Sequence, residues 1–435
     1  MESDPAVPAR ILHITGRSDH GGGPEHLLQV LTASEARTSS FVACPRQGLY
    51  WNRYQSLIGS GNLCATPHRR ITPLSLHSVI RFVRTNGIQI VHSHGMSGGI
   101  YGRLISLLTR IPCVHTFHGL PRTLTFKHVL YYHVERELSR YTKLGVAVSP
   151  GEFRLIARRY PMYQGRLTIV KNGIETSGAE RNSRSDRLAC PVRALRDIVS
   201  FTRLNEQKNP WLVLDIAREL KARNELSDIR FCLYGEKVND PAFCKQVRSA
   251  GLTEHVHLYP PTDNPAAVLS RAFAYLSTSR WEGMPLSLLE AHREGTCVIA
   301  TKVIGNRDVI ENGVNGMLYA EGDARSAADC IISIKHNPEL RFTLLALGAS
   351  GCREHHNRDI MAARLHLIYQ VVSNQAPTQR RTRPLTTAAA KQRIFPVMRT
   401  EPEPIAPQQL RAPASTPAVL GLAGYASSEF DIAIG

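Results

Sequence analysis

Two carboxylates, Glu282 and Glu290, are separated by seven residues, and the residues between them give the spacing a chemical meaning. Gly283 follows the first carboxylate, and Pro285 sits where a helix can begin, because its fixed φ suits a first turn and its missing N–H costs nothing there. Glu290 then falls about one and a half turns into that helix. The free amides of the stretch from Gly283 to Leu288 gather at the positive end of the helix dipole, a place that favours phosphate. One carboxylate on the loop and one on the helix can accept hydroxyl hydrogen bonds at two ends of a polyhydroxylated ligand. Alone, such a pair is more often a solvated helix face, so its company has to decide.

Groups placed this way need a scaffold, and the sequence repeats one. Apolar, β-branched runs predict strands over 10–15, 40–44, 88–92, 112–116 and 144–148, with helical stretches such as 74–84 and 126–141 between them. Gly21, Gly22 and Gly23 read as a loop after the first strand, and Pro24 opens a helix with Leu27, Leu28 and Leu31 on its apolar face. The polar stretch 177–193 interrupts the alternation and reads as a linker. Strands resume at 197–201, 229–234, 256–258, 272–276 and 296–301, with helices over 210–222, 285–293, 324–335 and 338–348. Strand–helix alternation implies right-handed crossovers and parallel sheets covered on both faces. The expected fold is α/β, with two tandem doubly wound, Rossmann-like domains, residues 1–176 and 194–356, facing a cleft at the carboxyl ends of their strands. Residues 375–435, rich in Pro, Ala, Thr and Gln, are expected to form a disordered tail.

Composition narrows the setting. No apolar run approaches the roughly 20 residues of a spanning helix. The N-terminus, with Glu2 and Asp4, does not read as a secretory signal. Nine cysteines, never spaced C-x-x-C, speak against a disulfide framework and for a reducing cytosol. Of the net charge of +17, much sits early: residues 1–175 hold 21 Lys/Arg against 9 Asp/Glu. Such an excess either attracts anions, such as pyrophosphates or an anionic membrane surface, or is a solvated basic face. Nucleic acid is not expected as a partner, because no recognition motif accompanies the charge. The helix over 126–141, with Lys127, Tyr131, Tyr132, Arg136 and Arg140, reads either as a membrane-docking face or as plain amphipathic packing.

The segment from Ser279 to Leu318 resembles the E-x7-E region of the retaining glycosyltransferases of family 4, which have the GT-B fold. The likeness runs from Glu282 through Glu290-Ala291, Gly295, the strand 297–301 and Gly305-Asn306 to Val309–Gly313 and Asn315-Gly316. Thr202-Arg203-Leu204, with Glu206 to Asn209 behind it, resembles the family's strand and loop that carry an Arg and a Lys. Leu233-Tyr234-Gly235-Glu236 is similar to its nucleoside-seating turn, with Lys237 in place of the second glycine. Val256 to Pro260 matches the base-reading region, and Gly21 to Glu25 the early glycine loop. His92 to Gly95 and His115 to Gly119 match two strand-end motifs, and Lys171-Asn172-Gly173 a further landmark. The likeness covers roughly 10–372, and its last stretch, 357–372, resembles the helix that closes back on the first domain.

The resemblance implies roles. Glu282 would hold hydroxyls of a donor sugar, Glu290 the ribose, and Arg203 and Lys208 the departing diphosphate, whose growing charge demands fixed cations. His118 would face the sugar, while His92, His94 and His115 read as strand-end structural residues. Gly22 and Gly23 would let amides approach the phosphates. Gly283, Met284, Pro285, Leu286 and Ser287 would line the donor, and Tyr234, Gly235 and Tyr259 would seat the nucleoside, Tyr259 reading equally as core. No D-x-D triad occurs, and no carboxylate stands at ligand spacing from the histidines, so neither metal nor other cofactor is expected. The implied activity is retaining, metal-independent transfer from a nucleoside diphosphate sugar, most commonly UDP-based, to a saccharide or lipid-linked acceptor in cell-surface polysaccharide synthesis. Its place would be the cytoplasm, peripheral to the plasma membrane. A nucleotide-sugar 2-epimerase and a non-catalytic nucleotide-sugar-binding protein stay open as alternatives on the same scaffold.

Overall fold

The computed structural model of the chain describes residues 9–34, 39–120, 126–176 and 195–374. The expected linker at 177–193 and the tail from 375 lie outside these residues. The first half builds β1 (Arg10–Thr15), β2 (Ser39–Pro45), β3 (Leu63–Thr66), β4 (Ile90–His94), β5 (Cys113–Thr116), β6 (Leu144–Ala147) and β7 (Leu167–Ile169). They pair in the order β3-β2-β1-β4-β5-β6-β7, every pairing parallel. The second half builds β8 (Arg196–Arg203), β9 (Ile229–Glu236), β10 (Val256–Tyr259), β11 (Ala274–Ser277), β12 (Cys297–Thr301) and β13 (Met317–Tyr319). These run parallel in the order β10-β9-β8-β11-β12-β13. Each half is thus a doubly wound sheet whose strand order reverses beside its first strand, at β1/β4 and at β8/β11. Crossover helices leave toward opposite faces at such a point, which opens a crevice at the strands' carboxyl ends.

The strands read as apolar runs because both faces are covered. Ile11, Leu12 and Ile14 of β1 are buried, as are Ile299 and Ala300 of β12. The conspicuous exceptions are histidines, with His13 and His92 facing each other in register on β1 and β4. The helix Arg358–Asn374 returns to the first sheet, packing Met361, Leu365, Tyr369 and Val372 on Ile11, Ile90, Val114 and Val146. Each such buried side chain contributes about 1.5–3 kcal/mol, so this helix is bound firmly to the first sheet.

Three local expectations shift. The helix Gly22–Ser34 begins at Gly22, so Gly22 and Gly23 form its first turn and only Gly21 remains ahead of it. Pro285 is the N-cap of the helix Leu286–Arg293 with an extended ψ of 120°, one residue before the position expected for it. The helix Phe126–Leu138 ends in a tight turn at Ser139–Tyr141. Its Tyr131 donates to Glu135 at 2.9 Å and its Tyr132 stacks on Tyr160, so both partly buried tyrosines take part in packing. The side chain of Lys127 lies outside the described residues. No described helix is long and apolar enough to cross a membrane.

Candidate active site

The carboxyl ends of β1, β4 and β8 meet around a cavity of about 850 Å³. Every residue given a catalytic or donor-binding role above lines it except Tyr259, whose ring stacks on that of Tyr234 at 4.7 Å and 15°. Tyr259 therefore supports the wall that Tyr234 presents.

The second-domain wall is made of charge. Arg203 ends β8 and Lys208 follows in a turn held by Asn205, whose Oδ1 accepts from the Lys208 amide at 2.9 Å. Thr278 Oγ1 donates to the Lys208 carbonyl at 2.7 Å, fixing that turn against the end of β11. Lys208 Nζ then meets Glu282 Oε1 at 2.7 Å, which brings two of the inferred residues into direct contact. Arg203 Nε lies 3.4 Å from Glu236, and burial followed by the neighbouring Arg17 pushes Arg203 below the usual arginine value. The Arg203 guanidinium passes where a Cβ on Gly21 would stand, so the absent side chain at 21 is a condition for its position. No side chain caps the helix that starts at Leu286, and Leu286 and Ser287 open on the cavity with its first amides. One turn deeper, Glu290 is pushed up to about 7, by burial first and then by the carboxylate of Glu25 across the cleft. Glu25 in turn accepts from Tyr50 Oη and Gln29 Nε2, each at 2.6 Å.

The first-domain wall is made of imidazole. His118 Nε2 lies 3.4 Å from His94 Nδ1, and His94 Nε2 lies 3.2 Å from His13 Nδ1. His26 stands edge-on to His118 at 4.8 Å between centroids, and its Nδ1 is 2.9 Å from Asn172 Oδ1. Burial lowers all of them, His13 to about 3 and His26 to about 4, so the cluster is neutral at pH 7. His92 bonds Tyr369 Oη and Thr116 Oγ1, and His115 bonds Ser93 Oγ, which are structural placements. His94 departs from its expected role, since it lines the cavity beside His118.

The two walls come into backbone contact where Gly119 meets Gly283. Gly119 adopts φ 88°, and a Cβ there would stand 3.0 Å from the Gly283 nitrogen, so the backbones behind His118 and Glu282 approach as only glycine permits. Buried Glu152 fixes this loop by accepting from the amides of Gly119 at 2.5 Å and Val148 at 2.8 Å. Asn172 Nδ2 donates to the Met284 carbonyl at 2.7 Å, a second tie across the cleft.

Known proteins share this fold. Residues 20–177 match the family model described as Glycosyltransferase Family 4, and residues 194–344 that described as Glycosyl transferases group 1. The chain belongs to the family 4 glycosyltransferases. A relative in Escherichia coli, UDP-Gal:alpha-D-GlcNAc-diphosphoundecaprenol alpha-1,3-galactosyltransferase, is 25% identical over 62% of this chain and 72% of its own. The D-inositol 3-phosphate glycosyltransferase of Pseudarthrobacter chlorophenolicus is 26% identical over 65% of this chain and 73% of its own. Anabaena HepE, solved with UDP and glucose, shares the fold at a TM-score of 0.71 and 17% identity, covering 83% of this chain and 100% of that one. The fold is therefore GT-B.

Sequence reasoning about this glycosyltransferase gave no role to Arg17, Glu25, His26, Arg69, Glu152 or Asn172. Glu25 and Asn172 stood inside recognised motifs and could have been weighed there. Arg17, His26 and Arg69 come from separate elements with no shared spacing, and only the fold unites them. Arg69 is held at φ 51° with its amide donating to the Gly16 carbonyl at 3.1 Å, an uncommon backbone state for arginine.

Proposed function

We propose that this glycosyltransferase moves a sugar from a UDP-sugar to an acceptor hydroxyl with retention at the anomeric carbon and without a metal ion. The observation that carries this reading is the Lys208–Glu282 pair, set beside Arg203 and the uncapped start of the helix at Leu286. Lys208 and Glu282 neutralise each other across their 2.7 Å contact. A diphosphate draws Lys208 to itself and frees Glu282 to accept hydrogen bonds from the sugar. Arg203, Lys208 and the helix amides then take up the charge that grows as the sugar–phosphate bond breaks. The acceptor oxygen bonds to the anomeric carbon on the face the phosphate leaves, and a departing phosphate oxygen takes its proton. His118 positions the sugar from the first-domain side, and Glu290 holds the ribose.

The acceptor is proposed to be a phosphorylated, lipid-linked saccharide of cell-surface polysaccharide synthesis, met at the cytoplasmic face of the plasma membrane. Arg17 and Arg69 line the first-domain end of the cavity, and Met96 beside them is 47% exposed. Ile71 and Leu74, 37% and 77% exposed, follow Arg69 in the chain, so exposed apolar side chains stand close in sequence to a cation of the cavity. The relative from Escherichia coli is named for a diphosphoundecaprenol acceptor, which has this chemistry. Calorimetry with UDP and GDP, with and without their sugars, tests the donor; binding of none of them sinks the proposal. Trapping of a glycosyl-enzyme intermediate would overturn the front-side attack.

A further inference from the structure

We propose that His26, His94 and His118 form a binding site for a zinc-type transition-metal ion, and that its occupation switches transfer off. A ring nitrogen of each lies within 4.8 Å of one on each of the others. Two nitrogens bound at about 2.0–2.1 Å to one tetrahedral zinc lie about 3.4 Å apart, and His94 Nδ1 and His118 Nε2 are separated by 3.4 Å. The three histidines come from the helix Gly22–Ser34, the end of β4 and the loop behind β5, which is why spacing along the chain does not show them.

Hydrogen bonds assign the protons. Asn172 Nδ2 donates to the Met284 carbonyl, so its Oδ1 is the atom that faces His26. His26 Nδ1 must then carry the hydrogen, which leaves Nε2 a bare lone pair, buried and without a partner. His94 can likewise donate from Nε2 to His13 Nδ1 at 3.2 Å and present Nδ1 as a ligand. Metal-binding histidines are held in this way, the second nitrogen donating to a fixed acceptor. Burial keeps the rings neutral, as ligands must be. His94 and His118 line the cavity, so an ion has an entry and an open position toward it. Imidazole selects zinc, nickel or copper over magnesium. The deeper trio of His13, His92 and His94 is a poorer site, because hydroxyls occupy both nitrogens of His92.

The switch rests on the role proposed for His118: a ring bound to metal is withdrawn from the sugar. The test is calorimetric titration of the metal-free chain with Zn²⁺ and, separately, Mg²⁺, with Co²⁺ absorption reporting geometry. One Zn²⁺ per chain, no Mg²⁺ and tetrahedral Co²⁺ bands are expected. His26→Gln should weaken zinc at least tenfold, and Asn172→Ala, which removes the orienting acceptor together with the tie to the Met284 carbonyl, should weaken it about 10–100-fold. Thermal melting confirms that both variants fold. Unaltered zinc affinity in His26→Gln, or no bound zinc in the parent chain, overturns the site. In transfer assays zinc should inhibit at the concentration where it binds, reversibly by chelator, and His26→Gln should need at least tenfold more. Bound zinc without inhibition overturns the switch. A chain that binds zinc but transfers no sugar when metal-free refutes the proposed function and leaves the site standing.

Discussion

Across the cleft, two ways of presenting polar groups face each other. On the second-domain side Lys208 rests on Glu282 at 2.7 Å and Arg203 lies 3.4 Å from Glu236. On the first-domain side His13, His26, His94 and His118 are packed against one another and stay neutral through burial. An ion pair at about 4 Å near a protein surface is worth about 4 kcal/mol in direct attraction, so breaking it requires a ligand that replaces the lost charge. A diphosphate supplies two negative groups and can take Lys208 from Glu282; a neutral sugar cannot. Imidazoles need no such exchange, since they offer one donor and one acceptor each without net charge. On the proposed function, the donor diphosphate is met by the second-domain cations, and the neutral imidazoles face the sugar from the other side.

The sharpest test of that division is Glu282→Ala. Transfer should fall by at least about 10²–10³-fold, the loss typical of one removed transition-state contact. UDP binding, measured by calorimetry, should stay within a few-fold, because Lys208 is left free for the diphosphate. An equal loss of both would merge the two functions into one. Arg203→Ala should cost about 10²-fold in kcat, since Arg203 acts mainly on charge that develops during bond breaking. Gly21→Ala touches no substrate, yet its methyl group would displace the Arg203 guanidinium, so it should reproduce part of that loss. Full activity in Gly21→Ala would mean that the position of Arg203 is not critical.

Glu290 gives a smaller and pH-dependent effect. Its carboxyl is raised to about 7, while ribose hydroxyls donate to the ionised form. UDP affinity should therefore rise as pH goes from 6 to 8, by about tenfold at most, with a proton released on binding. Glu290→Gln should bind UDP more weakly at pH 8 and lose this pH dependence. A parallel pH profile in the variant would assign the titration to another group, Glu25 being the neighbour to examine.

How much could be read without coordinates follows the same divide. The second-domain wall is laid down by two short segments, 203–208 after one strand end and 282–290 at one helix start, each legible by its own local spacing. Their convergence across the 74 positions from Lys208 to Glu282 came from the family resemblance and not from spacing. The sheets were legible wherever an apolar run stood out, whereas β7 and β13, of three residues each, are too short to show a pattern, and β3 has an exposed alanine among its four. The first-domain wall was illegible in the parts that matter most. His13 reads as an interruption of an apolar strand, and His26 as one polar residue of a helix. Their meeting with His94 and His118 depends on the pairing of β1 with β4, which no local spacing encodes. The position of Pro285 was missed by one residue, because its φ of −73° fits both a cap and a first turn and only ψ separates them.

The histidine wall should also be visible in stability, the mildest of the expected effects. His26, with a value near 4 against an ordinary 6.5, favours the folded state only while both states are neutral. Its contribution is complete above pH 6.5 and is lost as pH falls toward 4; His13, near 3, follows the same sign further down. Glu152 and Glu290, both raised to about 7, act in the opposite sense: their contribution is complete below about 4.5 and is lost as pH rises through 7. Between pH 6.5 and 4.5 the two groups oppose each other, and the histidines, including His92, His94, His115 and His118, outnumber the carboxylates. Tm should therefore fall on acidification from pH 6.5. His26→Gln should flatten that limb, and Glu290→Gln, which removes an opposing carboxyl, should steepen it. If both variants tracked the parent chain from pH 7 to 4, the buried imidazoles would not be neutral, and the contrast between the two walls would fail.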